Sequence, residues 1–284
     1  MINIFTKLQS NQKFSNSEQI IVNYILEYPM EVLETNVKEL SQKCFVSIAT
    51  IYRLCEKLEL SGFSELKVKI SNSLHSYQKN NEFNFDFPVK EYQTHYEIIE
   101  KIKEDYEKTL VFTANLFRLN QLKFVVHAMK KARYIDIYTS AGNIFFAQNF
   151  KFQMKEIGIE VNVPIEEYHQ RLYASSSDKD HFAIIISFGG RGLLSDAIAK
   201  ILKQKGTPTL LISSYNYKLR DIEPDYHLYI SPYENHYKKI SSYSTRLSIL
   251  YILDVIYTCY FELDYQKNLD KKMEYYHYLS QIKK

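Results

Sequence analysis

NVKELSQKCFVSIATIYRLCEKLELSGFSELKVK, residues Asn36 to Lys69, reads as two short helices joined by a tight turn. Asn36 and Glu39, three residues apart, form a capping pair for a first helix that buries Val37 and Leu40 and ends near Lys43. A turn of about three residues follows, Cys44 to Val46. Ser47 then caps a second helix, whose Ile48, Ile51, Leu54, Cys55 and Leu58 fall on one face at helical spacing. The outward face is left to Ala49, Thr50, Tyr52, Arg53, Glu56 and Lys57.

Such a face suits a recognition helix. Side chains near its N-terminus reach base edges in a major groove, while hydroxyls, Arg and Lys hold phosphates and fix the register. Ser47, Ala49, Thr50, Tyr52, Arg53 and Lys57 are the expected DNA-contacting residues. An ordinary helical hairpin has the same spacing, so periodicity alone leaves both readings open.

Working outward, Ser15 and Glu18 frame the start of an earlier helix that runs to Pro29, and residues 63 to 77 form a further one. The polar and aromatic stretch that follows has no helical period and reads as an interdomain linker over residues 78–91. From Tyr92 to Phe117, and again from Leu122 to Lys131, the pattern is helical. Strands and helices then alternate. Strands are expected at Tyr134–Tyr138, Ile159–Val163, HFAIIISF, TPTLLIS and DYHLYI, with helices over Ile144 to Ile157, Ile165 to Ala174 and Leu193 to Lys205. Two long helices close the sequence. Alternation of this kind predicts a doubly wound parallel sheet of five strands with right-handed crossovers. The expected domains are residues 1–77, all-α, and residues 92–284, α/β.

Ligands of an open parallel sheet sit at the carboxyl ends of its strands, where helix N-termini collect backbone donors. Three loops qualify: Thr139 to Asn143, Ser187 to Gly192, and Ser213-Ser214. Three of the seven glycines, Gly189, Gly190 and Gly192, crowd the second, which implies either a phosphate cradle or a tight turn. Arg191 adds a permanent cation able to hold an anionic group bidentately.

The span Leu40 to Lys67 resembles the helix-turn-helix signature of the RpiR family of bacterial transcription regulators. The match lies in Val46-Ser47, Ala49-Thr50-Ile51, Arg53, Leu58 and Gly62-Phe63-Ser64-Glu65-Leu66-Lys67. Phe45 departs from it, since a residue tolerant of the left-handed region suits that turn better. Residues 120 to 262 are similar to a sugar isomerase (SIS) domain, which implies a flavodoxin-like strand order and a phosphosugar site. The candidate ligand residues of the three loops are Thr139, Ser140, Asn143, Ser187, Gly189, Gly190, Arg191, Gly192, Ser213 and Ser214, and the resemblance bears on Asn143, Ser187, Ser213 and Ser214 among them. Ser187 matches the family, whereas Gly189 and Gly192 stand where hydroxyl residues are usual. Each lost hydroxyl removes a hydrogen bond of roughly 0.5–1.5 kcal/mol. A sugar phosphate, another small anion and a vestigial pocket therefore all remain open.

The resemblance implies a homodimer or tetramer that holds two recognition helices about 34 Å apart on a double-stranded operator. The competing expectation is a phosphosugar-binding protein or isomerase without DNA binding. Isomerases need a base beside the sugar carbons, and Glu166, Glu167, His169, His227 and His236 read as surface or helix-start residues. No Walker loop, metal-ligand spacing or Ser-His-Asp arrangement occurs, so no catalytic residue, metal or cofactor is expected.

Composition constrains the rest. Lys and Arg number 36 against 33 acidic residues, a net charge of +3 over 284 residues. Residues 1 to 77 balance eight cations against eight carboxylates, so the module has little nonspecific attraction for DNA. Cys44, Cys55 and Cys259 read as buried apolar residues. The absence of a signal-peptide core and of an uninterrupted apolar span points to the cytoplasm and away from a membrane.

Overall fold

The computed structural model describes residues 4–9, 14–77, 86–190, 194–215, 217–231, 234–235 and 238–281. The chain divides into two compact units. The first comprises Met1–Leu116 with Ser231–Thr245, the second Phe117–Ile230 with Arg246–Lys284.

The first unit is helical. Its elements are α1 (Ile4–Gln9), α2 (Asn16–Glu27), α3 (Pro29–Glu34), α4 (Val37–Lys43), α5 (Ile48–Lys57), α6 (Phe63–Tyr77) and α7 (His95–Leu116). Ser15 caps α2 in a reciprocal capping box with Glu18. Pro29 does not merely end α2 but starts α3 at its first position, where the missing N–H costs nothing. Ile21, Val22, Ile25, Leu33, Leu40, Ile51, Leu54 and Leu66 are all buried, so the short helices share one core.

α7 and the segment 231–245 belong to this unit as well, so the division differs from the expected one, which starts the C-terminal domain at residue 92. The expected linker falls largely on residues 78–85, outside the described residues. The returning segment is fastened by hydrogen bonds. Asn235 N–H donates to Asp86 Oδ1 (2.5 Å), Ile240 N–H to the Asp86 carbonyl (2.8 Å), and Thr109 Oγ1 of α7 to Ser244 Oγ (3.0 Å). Glu234, buried, accepts from Thr245 Oγ1 at 2.7 Å and from the Ser244 N–H.

The second unit is a three-layer α/β structure. Its elements are α8 (Leu119–Lys131), β1 (Tyr134–Tyr138), α9 (Asn143–Glu156), β2 (Val161–Asn162), α10 (Glu167–Ser176), β3 (His181–Ile186), α11 (Leu194–Lys205), β4 (Thr209–Ser214), β5 (Tyr226–Ile230), α12 (Tyr243–Glu262) from Arg246 onward, and α13 (Tyr265–Gln281). All four strand pairings are parallel and the order is β2-β1-β3-β4-β5. The expected five-stranded, flavodoxin-like sheet is therefore the observed one. Strand β2 keeps only two residues of the expected five, as befits an edge strand with a single neighbour.

Both faces of the sheet are covered, which is why its strands read as unbroken apolar runs. Val125, Met129, Phe150, Met154, Ile252 and Ile256 of α8, α9 and α12 pack on the face carrying Ile137, Ile184 and Ile212. Ala174, Ile198 and Leu202 of α10 and α11 cover the other, with Ala183, Ile185 and Leu211.

Candidate nucleic-acid interface and ligand loops

The two helices of the N-terminal module are fixed at their starts by local caps. Asn36 Oδ1 accepts from the backbone of Lys38 and Glu39, both at 3.0 Å, and Glu39 Oε2 returns to the Asn36 N–H at 2.9 Å. Ser47 Oγ accepts from the Thr50 N–H at 3.1 Å at the head of α5. Ile51, Leu54 and Cys55 of α5, with Leu58 just beyond it, face inward. Burial pushes the Cys55 thiol up to about 12, so it is inert at neutral pH.

The outward face differs from the expected one at two positions. Thr50 is buried, and its hydroxyl lies 2.9 Å from Ser47 Oγ and accepts from Arg53 at 3.4 Å. It tightens the cap and braces Arg53. Ile48 lies on the apolar stripe by period, yet at the first position of the helix it is 40% exposed. Ala49, Arg53 and Tyr52 are exposed as expected, the Tyr52 ring resting near Gly62. Lys57 is exposed but its ammonium is committed to Glu18 at 2.6 Å. Burial alone would raise the Glu18 carboxyl; the Lys57 and Ser15 hydrogen bonds hold it below the usual range.

The turn between α4 and α5 closes as a Schellman motif: Val46 N–H donates to the Ser41 carbonyl (3.0 Å) and Phe45 N–H to that of Gln42 (3.2 Å). Phe45 occupies the left-handed position at φ +52°, where glycine is favoured, and its side chain is 95% exposed. A side chain in that region costs roughly 1–2 kcal/mol.

Lys67 of α6 is fully buried. Its ammonium donates to the carbonyls of Thr35 (2.9 Å) and Leu33 (3.3 Å) at the end of α3 and faces the rings of Phe63 and Phe112. Burial pushes its pKa down to about 7, with Glu39 pulling the other way.

In the second unit the chain reverses direction across the sheet between β1 and β3, so the crevice for a ligand opens between the loops that follow them. Ser140 is exposed, and Ala141 holds φ +52°. Gly142 and Asn143 begin α9. Ser187 Oγ accepts from the Gly190 N–H at 3.1 Å, which curls the second loop. Gly190 has φ +63°, and a β-carbon on it would sit 2.2 Å from the Tyr217 ring. Close approach of that ring accounts for this glycine. Arg191 and Gly192 lie outside the described residues, as does His236.

Three residues expected to hold the ligand are buried, and two of their hydroxyls are bound within the protein. Thr139 is buried and donates to the Ile186 carbonyl at 2.8 Å, while Gln170 holds the Thr139 carbonyl at 2.7 Å. Ser213 is buried, 2.8 Å from His227 Nε2, and donates to the Ser214 carbonyl at 3.0 Å. Ser214 is buried too, its N–H bound to the Phe188 carbonyl at 2.9 Å. These groups shape the loops from beneath. His227, expected at the surface, is half-buried against Ser213; burial and the nearby Arg118 push it down to about 4, so it is neutral above that pH. Gln170, Tyr217 and the Ser213–His227 pair had no local signal, because their partners are 14 to 31 residues away in sequence.

Glu166 and His169 do lie at the surface, beside an open cleft of about 350 Å³ with Lys151, Asn162 and Tyr173 at the carboxyl end of β2. Among the described residues no cluster of His, Cys, Asp or Glu could hold a metal ion, and no helix is long and apolar enough to cross a membrane.

Residues 2–77 match the model of the rpiR-family helix-turn-helix domain and residues 128–258 that of the SIS domain. The chain belongs to the rpiR family and is a DNA-binding transcription regulator. An HTH-type transcriptional regulator of Haemophilus influenzae is 27% identical over 258 residues, 90% of this chain and 88% of that one. Another, from Caldanaerobacter subterraneus, is 25% identical over 249 residues, 88% and 86% of the two chains. In fold, the chain is similar to the Vibrio vulnificus NanR protein complexed with ManNAc-6P (TM-score 0.60, 17% identity, 99% of both chains). The sugar isomerase domain of an RpiR transcription factor from Sphaerobacter thermophilus aligns at TM-score 0.53 and 13% identity, over 63% of this chain and 96% of that one.

Proposed function

We propose that this regulator binds a pseudo-palindromic operator as a cytoplasmic homodimer, and that a phosphosugar or related small anion bound in the SIS unit sets its operator affinity. The observation that carries the reading is the capped, outward-facing start of α5 in a chain whose second half is an SIS sheet. Ala49, Tyr52 and Arg53 face the bases; Ser47 and Thr50 hold the helix start and Arg53 in place; Lys57 contributes charge already shared with Glu18. The anion is held by Ser140, Asn143, Ser187 and the backbone of Gly189 and Gly190, with Arg191 as counter-ion. A NanR protein of the same fold carries ManNAc-6P, which supports the ligand class. The chain acts as a sensor and not as an isomerase in this reading: Glu166 and His169, the acid and base beside the β2 cleft, are both exposed and 3.9 Å apart.

The test is binding of the full chain to a duplex selected from a random pool, at two salt concentrations, with and without sugar phosphates that include N-acetylmannosamine 6-phosphate. Specific, salt-sensitive binding altered by one of them is the expected result. Arg53→Ala weakens it at least tenfold; unchanged affinity in that variant removes α5 as the reading helix. Specific binding indifferent to every sugar phosphate removes the sensor.

A further inference from the structure

The least economical feature of the N-terminal module is Phe45. It takes a left-handed backbone that glycine would adopt freely, and its ring is left 95% exposed, so in the protein alone neither packing nor backbone preference accounts for it. Its position supplies an account. Phe45 lies two residues before Ser47, the N-cap of α5, in the turn that delivers the recognition helix. Ile48, 40% exposed, and Tyr52, 45% exposed, continue the same surface with Ala49 between them. The rim of this recognition surface is therefore apolar and aromatic.

Charge makes the same point. Residues 1 to 77 carry no net charge, and Lys7, Lys43 and Lys57 are each paired with a carboxylate, Glu59, Glu31 and Glu18. A module with so little counterion release to draw on needs non-ionic contacts with the duplex. In the major groove the apolar group offered to a protein is the 5-methyl of thymine, and phenylalanine is among the side chains that meet it.

We propose that Phe45 is a specificity-determining residue, its ring meeting a thymine methyl in each half-site. This rests on α5 being the recognition helix, and the inference adds an A·T preference at one outer position of the half-site that the helix itself does not reach.

The experiment compares wild type, Phe45→Gly and Arg53→Ala, all as full-length chains, on a duplex selected from a random pool by the wild type. Each thymine is replaced in turn by deoxyuridine. Glycine suits the left-handed turn, so the melting temperature of Phe45→Gly stays level or rises. Its affinity is expected to fall about tenfold, or about 1.4 kcal/mol. At one thymine per half-site the wild type loses affinity on deoxyuridine while Phe45→Gly loses none. Phe45→Gly binding as tightly as wild type, while Arg53→Ala is impaired, overturns the inference and leaves α5 as the reader. Weakened binding by Phe45→Gly, with no position at which deoxyuridine weakens the wild type, overturns it in favour of a sequence-indifferent contact with the sugar, which deoxyuridine leaves unchanged. Full affinity in both variants overturns the inference together with the α5 reading.

Discussion

Two turns with positive φ stand beside the two functional surfaces, and they are built in opposite ways. At Gly190 the chain has no side chain and another ring, Tyr217, lies against the backbone; at Phe45 the chain carries the ring itself and turns it to water. At Gly190 a neighbouring ring dictates the residue from inside the protein; at Phe45 the Schellman closure sets the backbone but no packing accounts for the ring. The same contrast runs through the buried bases. Lys67 is held among carbonyls and aromatic faces in the first unit, and His227 beside a serine hydroxyl in the second, each with its cationic form disfavoured by burial.

The largest effect should come from Gly190→Ala. Its β-carbon would collide with Tyr217 at a backbone angle that side chains rarely adopt, so the second unit should lose roughly 3 kcal/mol in denaturant unfolding. Adding Tyr217→Ala should restore the steric part and leave the backbone part. Full stability in the single variant would mean that the two turns are not built differently at all.

The buried bases sharpen the contrast through pH. His227 has its folded pKa lowered from 6.5 to about 4, so between these values the unfolded chain binds more protons and stability rises with pH. The second unit should lose roughly 2 kcal/mol on acidification through that window, and His227→Gln should flatten the slope. Lys67 is lowered from 10.5 to about 7, and by the same reasoning stability rises with pH above 7. The first unit should gain roughly 2 kcal/mol between pH 7 and 9, a gain missing from Lys67→Met. Fluorescence-monitored unfolding across both windows checks the pair. The smallest effect is Ser47→Ala, about 1 kcal/mol from loss of one helix cap, with a matching drop in operator affinity as Thr50 and Arg53 lose their brace.

Features within a few residues of their cause were legible in the sequence. The Asn36–Glu39 and Ser47–Thr50 caps, strand β1 at Tyr134–Tyr138 and the buried run of β3 all follow from local pattern. α1 and α3, six residues each, are too short for periodicity to show, and Pro29 looked like a stop where it is a start. Thr50 and Ile48 exchanged faces because a hydroxyl turned toward its cap can be buried and a first-turn apolar residue can project past the core. Among the candidate ligand residues, Ser140 and Ser187 lie just past the ends of β1 and β3 and Asn143 starts α9, positions that local pattern supplies. The internal commitments of Thr139, Ser213 and Ser214 depend on strand neighbours that no local rule supplies.

The path of the chain has one more consequence. It passes from one unit to the other after Leu116, after Ile230 and after Thr245. A fragment cut at residue 91 would lack α7 and the returning segment, and the remainder would carry them without α3 and Asp86. The reading head is therefore not a detachable bead: recombination that swaps regulators at the end of the helix-turn-helix would sever a body whose last piece is encoded more than a hundred residues downstream.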